Sequence, residues 1–191
     1  MNLKDRQRAE TRRRVQRQAI RLFEDRGYDT TTVNDVAVAA GVSAMTVYRH
    51  FPTKEDLVLY DELDQLAAET ISKLPAIEPL VDRIGQTVLQ TLELASAHDK
   101  EFLLARLRLM ISTQALRARH LDSQYATQEA VVAAVCADTT DPALEYQARA
   151  AASACLGIVH IALLRWAAEN GETNLPDLFR DAFQATFGHK L

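Results

Sequence analysis

The tightest constraint on the fold is a single glycine between two short, helically patterned segments. Val33, Val36 and Ala37 recur at helical spacing before Gly41, and Met45, Val47 and Tyr48 repeat the pattern after it, up to Phe51 and Pro52. Isolated helices this short are marginal in water, so each must be held by packing against its neighbours. Ala37 and Ala40 are small enough for a close crossing, Gly41 supplies the backbone angles of the turn, and Val42 and Val47 fill the corner. Thr32, with Asp35 three residues on, starts the first segment as a capping box; Ser43 caps the second. Helix, glycine turn, helix is the helix-turn-helix arrangement. The N–H groups behind Ser43 then face any anion lying in front.

The remainder reads as helices throughout. A helix over residues 5–26, with apolar positions at Val15, Ala19, Ile20 and Phe23, ends at Gly27. Thr53 with Asp56 starts another to about Lys73, and Pro75 and Pro79 make residues 74–79 a linker. Further helices are expected near residues 78–97, 99–119 and 121–137. Asp141 and Pro142 then cap a long helix running to about Asn170, and a last one spans about Leu175 to Phe187. The expected fold is all-α with about nine helices: a three-helix head over residues 1–52, a connecting helix over 53–74 and a helical body over 75–191.

Charge divides the chain in the same place. The overall net charge is −4, yet residues 1–52 carry ten Lys and Arg against six Asp and Glu, and the rest carries twelve against twenty. A basic head on an acidic body suits a defined nucleic-acid contact better than general adhesion to polyanions. Arg6, Arg8 and Arg12, among other basic residues of the first fourteen, are candidates for a phosphate or minor-groove tether. Cys136 and Cys155 lack metal-ligand spacing and read as reduced, buried thiols; no cofactor or metal is expected. No secretory signal pattern is present, and the most apolar stretch, residues 150–164, is too short to span a bilayer, so a cytoplasmic location is expected. No HExxH, GxSxG, P-loop or GxGxxG motif occurs, which argues against an enzyme.

The head resembles the TetR family of repressors. Val38 through Ser43 read as its apolar-Ala-Gly-Val-Ser turn, Tyr48-Arg-His-Phe51 as its recognition helix, and Lys54-Glu-Asp-Leu57 as the start of the next helix. The likeness covers about residues 10–60. It implies that Tyr48, His50 and Lys54, with Thr31 or Thr32, meet backbone phosphates, while Ser43, Ala44, Met45, Thr46 and Arg49 face or flank the major groove. Arg49 can donate bidentately to guanine, and Thr46 can touch a thymine methyl. Ala44 stands where many relatives carry Arg or Lys, which shifts weight to thymine methyls and DNA shape.

In the body, the helix over 143–169 is apolar nearly all round, so every face of it should be buried. A two-fold dimer would use Ala150, Ala154, Gly157, Ile161 and Trp166 from it, with Phe179 and Phe183 from the last helix. Its paired recognition helices would sit about 34–36 Å apart, one turn of DNA. Arg106, Met110, Thr113 and Arg117 share one face of the expected 99–119 helix. With Phe102, Tyr125 and His160 they are candidates for an apolar pocket with a cationic mouth, suited to an acyl or aromatic anion. The expected function is a ligand-responsive repressor, a homodimer on palindromic operator DNA. The alternatives are a DNA-binding protein without small-molecule induction and, at greater distance, a helical enzyme.

Overall fold

The computed structural model describes residues 3–60 and 79–191, except for the side chains of Leu3 and of residues 95–98. Among the described residues there are nine helices and no strand. They are α1 (Leu3–Arg26), α2 (Val33–Ala40), α3 (Ala44–His50), α4 (Asp56–Leu59), α5 (Leu80–His98), α6 (Lys100–Ser112), α7 (Gln114–Val135), α8 (Pro142–Ala168) and α9 (Leu175–Phe187). The helix expected from Thr53 to about Lys73 instead begins at Asp56 and stops at Leu59, where Tyr60 at ψ 124° is its C-cap. Residues 61–78, with all of the expected 74–79 linker but its last residue, lie outside the described residues, and Pro79 is the N-cap of α5. Two compact units form: Met1–Tyr60 with Ala105–His120, and Asp61–Leu104 with Leu121–Leu191. They do not follow the sequence division at residues 52 and 75, because α6 and α7 each contribute to both.

In the N-terminal unit the local signals act as their chemistry requires. Thr32 accepts from Asp35 N–H at 3.2 Å, and the Asp35 carboxylate accepts from Thr32 N–H at 2.8 Å, closing the capping box. Gly41 sits at φ 64° and ψ 38°, and the N–H of Val42 reaches back to Ala37 O at 3.0 Å. That left-handed angle strains any residue bearing a Cβ. Ser43 then accepts from Thr46 N–H at 3.1 Å and starts α3. Val15, Ala19, Ile20 and Phe23 of α1 are buried, as are Val36, Ala37, Ala40, Val47, Phe51, Leu57 and Val58 from the other helices.

The second unit is built on α5, α8 and α9, which contact one another pairwise. Leu80, Ile84 and Leu92, then Ala148, Ala152, Cys155, Ile158, Ala162 and Trp166, then Leu175, Leu178, Phe179 and Phe183 form its core. Phe179 and Phe183 have no exposed area, and each such burial contributes about 1.5–3 kcal/mol. Gly85 permits a close approach: a Cβ there would stand 2.7 Å from the Phe183 ring and 2.9 Å from Leu191. Burial pushes the Cys155 thiol up to about 12, with Asp82 adding to the shift, so it stays protonated. Cys136, expected to be buried, is half-exposed.

Two expectations change. The helix expected over 99–119 is interrupted at Thr113, giving α6 and α7. Near the break, the Ser112 hydroxyl donates to Leu109 O at 3.3 Å, a carbonyl that the Thr113 N–H also reaches at 3.0 Å, and the Arg117 guanidinium donates to Ile111 O. Second, α8 extends to 27 residues and by length and composition alone could cross a bilayer, which the 15-residue apolar stretch could not. Its Ala148, Ala152, Cys155, Ile158, Ala162 and Trp166 are buried against protein in this fold.

Candidate nucleic-acid interface

α3 is seven residues long and buries only Val47. Anchored by that valine and by the fully buried Phe51 at its C-cap, it turns the rest of its surface outward. Met45 is 76% exposed and Tyr48 48%; Arg49 is also exposed, and Ala44, Thr46 and His50 are half-buried. The Ser43 and Thr46 hydroxyls bond each other at 2.9 Å, so the cap also orients Thr46. The outward face thus offers an apolar patch at Ala44 and Met45, a phenol at Tyr48 and a guanidinium at Arg49.

His50 lies within reach of several cations. Burial first, then the charges of Arg12, Arg8 and Arg49, hold its imidazole below the usual histidine range. Arg8 and Arg12 are four residues apart on α1, and Arg49 adjoins His50 on α3. Positive charge from two helices therefore gathers at the C-terminal end of α3, where a phosphate would relieve the mutual repulsion.

Other candidate residues are placed differently from the expectation. Thr31 is 1% exposed, and its hydroxyl donates to Gly27 O at 2.9 Å, so the side chain ties the α1–α2 turn instead of facing DNA. Thr32 has its hydroxyl engaged by Asp35 at 2.6 Å. Arg12 is not a free arm. Its guanidinium lies over the Tyr60 ring, 4.8 Å from the centroid, and donates to the Tyr60 hydroxyl. Arg6 and Arg8 are exposed, within helix α1 and not on an extended tail. Lys54 donates to Tyr28 O at 2.5 Å with its ammonium 4.1 Å from the Tyr28 ring centroid, leaving two of its three donors for other partners.

The break at Thr113 puts Arg117 on α7, bonded to Ile111 O, while Arg106 and Met110 are on α6. Met110 is 6% exposed, Tyr125 is 63% exposed, and Phe102 and His160 are half-buried. Arg106 bonds backbone carbonyls within the N-terminal unit. Of the expected dimer residues, Trp166, Phe179 and Phe183 belong to the core of their own unit, at 2%, 0% and 0% exposure. The Trp166 indole donates to Thr173 O at 2.9 Å, which explains why it faces inward. Ala150, Gly157 and Ile161 do lie on an exposed stripe of α8, with Ala154 half-buried beside them. That Arg106 would bond the carbonyls of Val58 and Tyr60 could not be read from the sequence, since no local pattern exists for it.

A family profile described as bacterial regulatory proteins, tetR family, matches residues 17–60, and one described as the MftR C-terminal domain matches residues 78–187, more than half of the chain. The chain belongs to the TetR family of transcriptional regulators. Among curated relatives, the regulator AcrR of Shigella flexneri is 37% identical over 65 residues, covering 34% of this chain and 29% of that protein. The repressor KstR2 of Mycolicibacterium smegmatis is 45% identical over 51 residues, 25% of each chain. The matched stretches thus span less than a third of these relatives' length.

Solved structures extend the likeness of this regulator to nearly its full length, as fold alone. FadR of Thermus thermophilus, solved with lauroyl-CoA, has a TM-score of 0.53 at 24% identity and covers 91% of both chains. The TetR-family regulator SCO0857 of Streptomyces coelicolor reaches 0.61 at 18% identity, covering 93% of this chain and 92% of its own. FadR of Bacillus subtilis, solved with stearoyl-CoA, gives 0.57 at 16% identity, covering 90% and 95%.

Proposed function

We propose that this regulator is an operator-specific, homodimeric repressor of the cytoplasm that a small apolar or acyl-type anionic effector releases from DNA. The observation that carries the reading is the outward face of α3. Seven residues held by Val47 and the Phe51 cap present Met45, Tyr48 and Arg49 to solvent, beside the cations of α1. Tyr48, His50, Lys54, Arg6 and Arg8 would hold phosphates, Arg49 would read a guanine, and Ala44, Met45 and Thr46 would contact thymine methyls. Ser43 contributes the cap that aims α3.

The exposed stripe of Ala150, Gly157 and Ile161 on α8 favours a two-fold seam between copies. Ile161 is 59% exposed beside these small residues, which would let a partner helix approach closely and cover it. An acyl-type effector is favoured by two neighbours of the same fold whose structures hold acyl-CoA thioesters. Its effect would be a population shift toward a dimer whose recognition helices are wrongly spaced for DNA.

Selection from a random duplex library at two salt concentrations tests the reading. A palindrome with half-sites about one helical turn apart, bound more weakly as salt rises, is the expected result. Salt-sensitive binding with no enriched sequence would leave a non-specific DNA binder and overturn operator specificity.

A further inference from the structure

We propose that Arg106 is a positioning residue for operator recognition: its guanidinium clamps the C-terminal end of α4 and, with Gln16 of α1, sets the pose of the head on DNA. The proposal rests on the reading of the protein as an operator-specific regulator.

The argument starts from helix chemistry. A helix leaves its last carbonyls without intrahelical donors, and α4 is only four residues long. Val58 and Tyr60 are at that end. Arg106 Nε donates to Val58 O at 2.9 Å and Arg106 Nη2 donates to Tyr60 O at 3.1 Å. Both donors lie on the same edge of the planar guanidinium, a geometry that a lysine ammonium cannot reproduce. Gln16 Nε2 donates to the same Tyr60 oxygen at 2.8 Å. One carbonyl thus receives a donor from α1 and another from α6, and Gln16 is 7% exposed, so little water competes there.

The clamped residue matters to the interface. The Tyr60 ring stands edge-on to Phe51, centroids 5.8 Å apart, and Phe51 is the C-cap of the recognition helix. Arg12 lies over the same Tyr60 ring, 4.8 Å from its centroid. Chain 58–60, the end of α3 and the basic face of α1 are therefore packed on one tyrosine.

The origin of Arg106 adds a regulatory consequence. The division between the two compact units falls between Leu104 and Ala105, inside α6, and Arg106 is the second residue past it. A rearrangement of α6 must either break both Arg106 bonds or pull Val58 and Tyr60 with it. The side chain is already committed to carbonyls, which makes it a poor candidate for an effector anion.

The test uses the full chain and the operator selected from random duplexes. Affinity for that duplex and for a scrambled duplex is measured by fluorescence anisotropy over a salt series, for the wild type, Arg106→Gln, Arg106→Lys and Gln16→Met. For Arg106→Gln the expected result is an operator affinity about tenfold weaker, with unchanged scrambled-duplex affinity and unchanged salt slope. Arg106→Lys recovers only part of the loss. A shallower salt slope would mean a direct phosphate contact and overturn the proposal. So would an unchanged operator-to-scrambled ratio, since a role in stability alone leaves that ratio intact. If Arg106→Gln does not fold, Gln16→Met decides: a threefold or larger loss of the ratio supports the clamp, and an unchanged ratio overturns it. A wild type with no operator preference would instead defeat the functional reading on which the clamp rests.

Discussion

The two compact units hold together by different means. In the N-terminal unit short helices are set residue by residue: a capping box at Thr32, a left-handed Gly41, a cap at Ser43. In the C-terminal unit long helices meet over residues far apart in the chain, as when Gly85 of α5 receives the Phe183 ring of α9. The first arrangement leaves most of a helix free to touch DNA, because a cap and one buried valine hold α3. The second dedicates its aromatic residues to the core and leaves a stripe of small residues on α8 outside. The head exposes polar and basic side chains on one short helix, whereas the body buries its aromatic rings and exposes small and aliphatic residues on one long helix.

The sharpest way to break this contrast is to empty the body core. Phe183→Ala removes a fully buried ring and is expected to destabilise the protein by about 3–5 kcal/mol in chemical denaturation. A loss under 1 kcal/mol would mean that α9 is not a core helix. Ile161→Glu tests the opposite property of the same unit. The residue is 59% exposed, so the single chain should fold normally. A carboxylate at the seam should weaken association by about 3–5 kcal/mol, the cost of an uncompensated buried charge. Light scattering would show a monomer at concentrations where the wild type is a dimer; an unchanged mass would remove α8 from the seam.

Much of the head was legible in the sequence because its determinants are local. The capping box joins residues three apart and the glycine turn joins residues five apart, distances over which residue type dictates geometry. Thr31 escaped that reading. Its neighbour Thr32 is the cap, but whether a hydroxyl faces DNA or Gly27 O depends on how the chain leaves α1. Trp166, Phe179 and Phe183, expected at the seam, are buried in their own unit, since an apolar aromatic carries no mark in the sequence that separates a core from a seam.

Smaller effects refine the comparison. Thr32→Ala should cost about 1 kcal/mol, read as a lower melting temperature, far less than the loss of one body phenylalanine. A larger effect would show that the head depends on its caps more than on its core.

The smallest expected effect is protonic. Burial, then nearby arginines, lower the His50 pKa in the free protein, so protonation there opposes folding, and this contribution to stability is lost as pH falls below about 6.5. A DNA phosphate beside His50 would favour the charged ring, so operator binding takes up a proton and tightens as pH falls. The expected gain is less than tenfold per pH unit, and His50→Gln should reduce it. An identical pH profile in that variant would place His50 away from the phosphate.

From the sequence alone come the helix-turn-helix, its caps and the basic head on an acidic body, because these follow from residue type at spacings of a few positions. Only the tertiary structure decides which apolar face of α8 is inside, and that Arg106 serves the end of α4, 48 residues away from Val58. The physical reason is that a guanidinium or an apolar face has the same chemistry everywhere in the chain. Its partner is chosen by the packing of helices that no local spacing encodes.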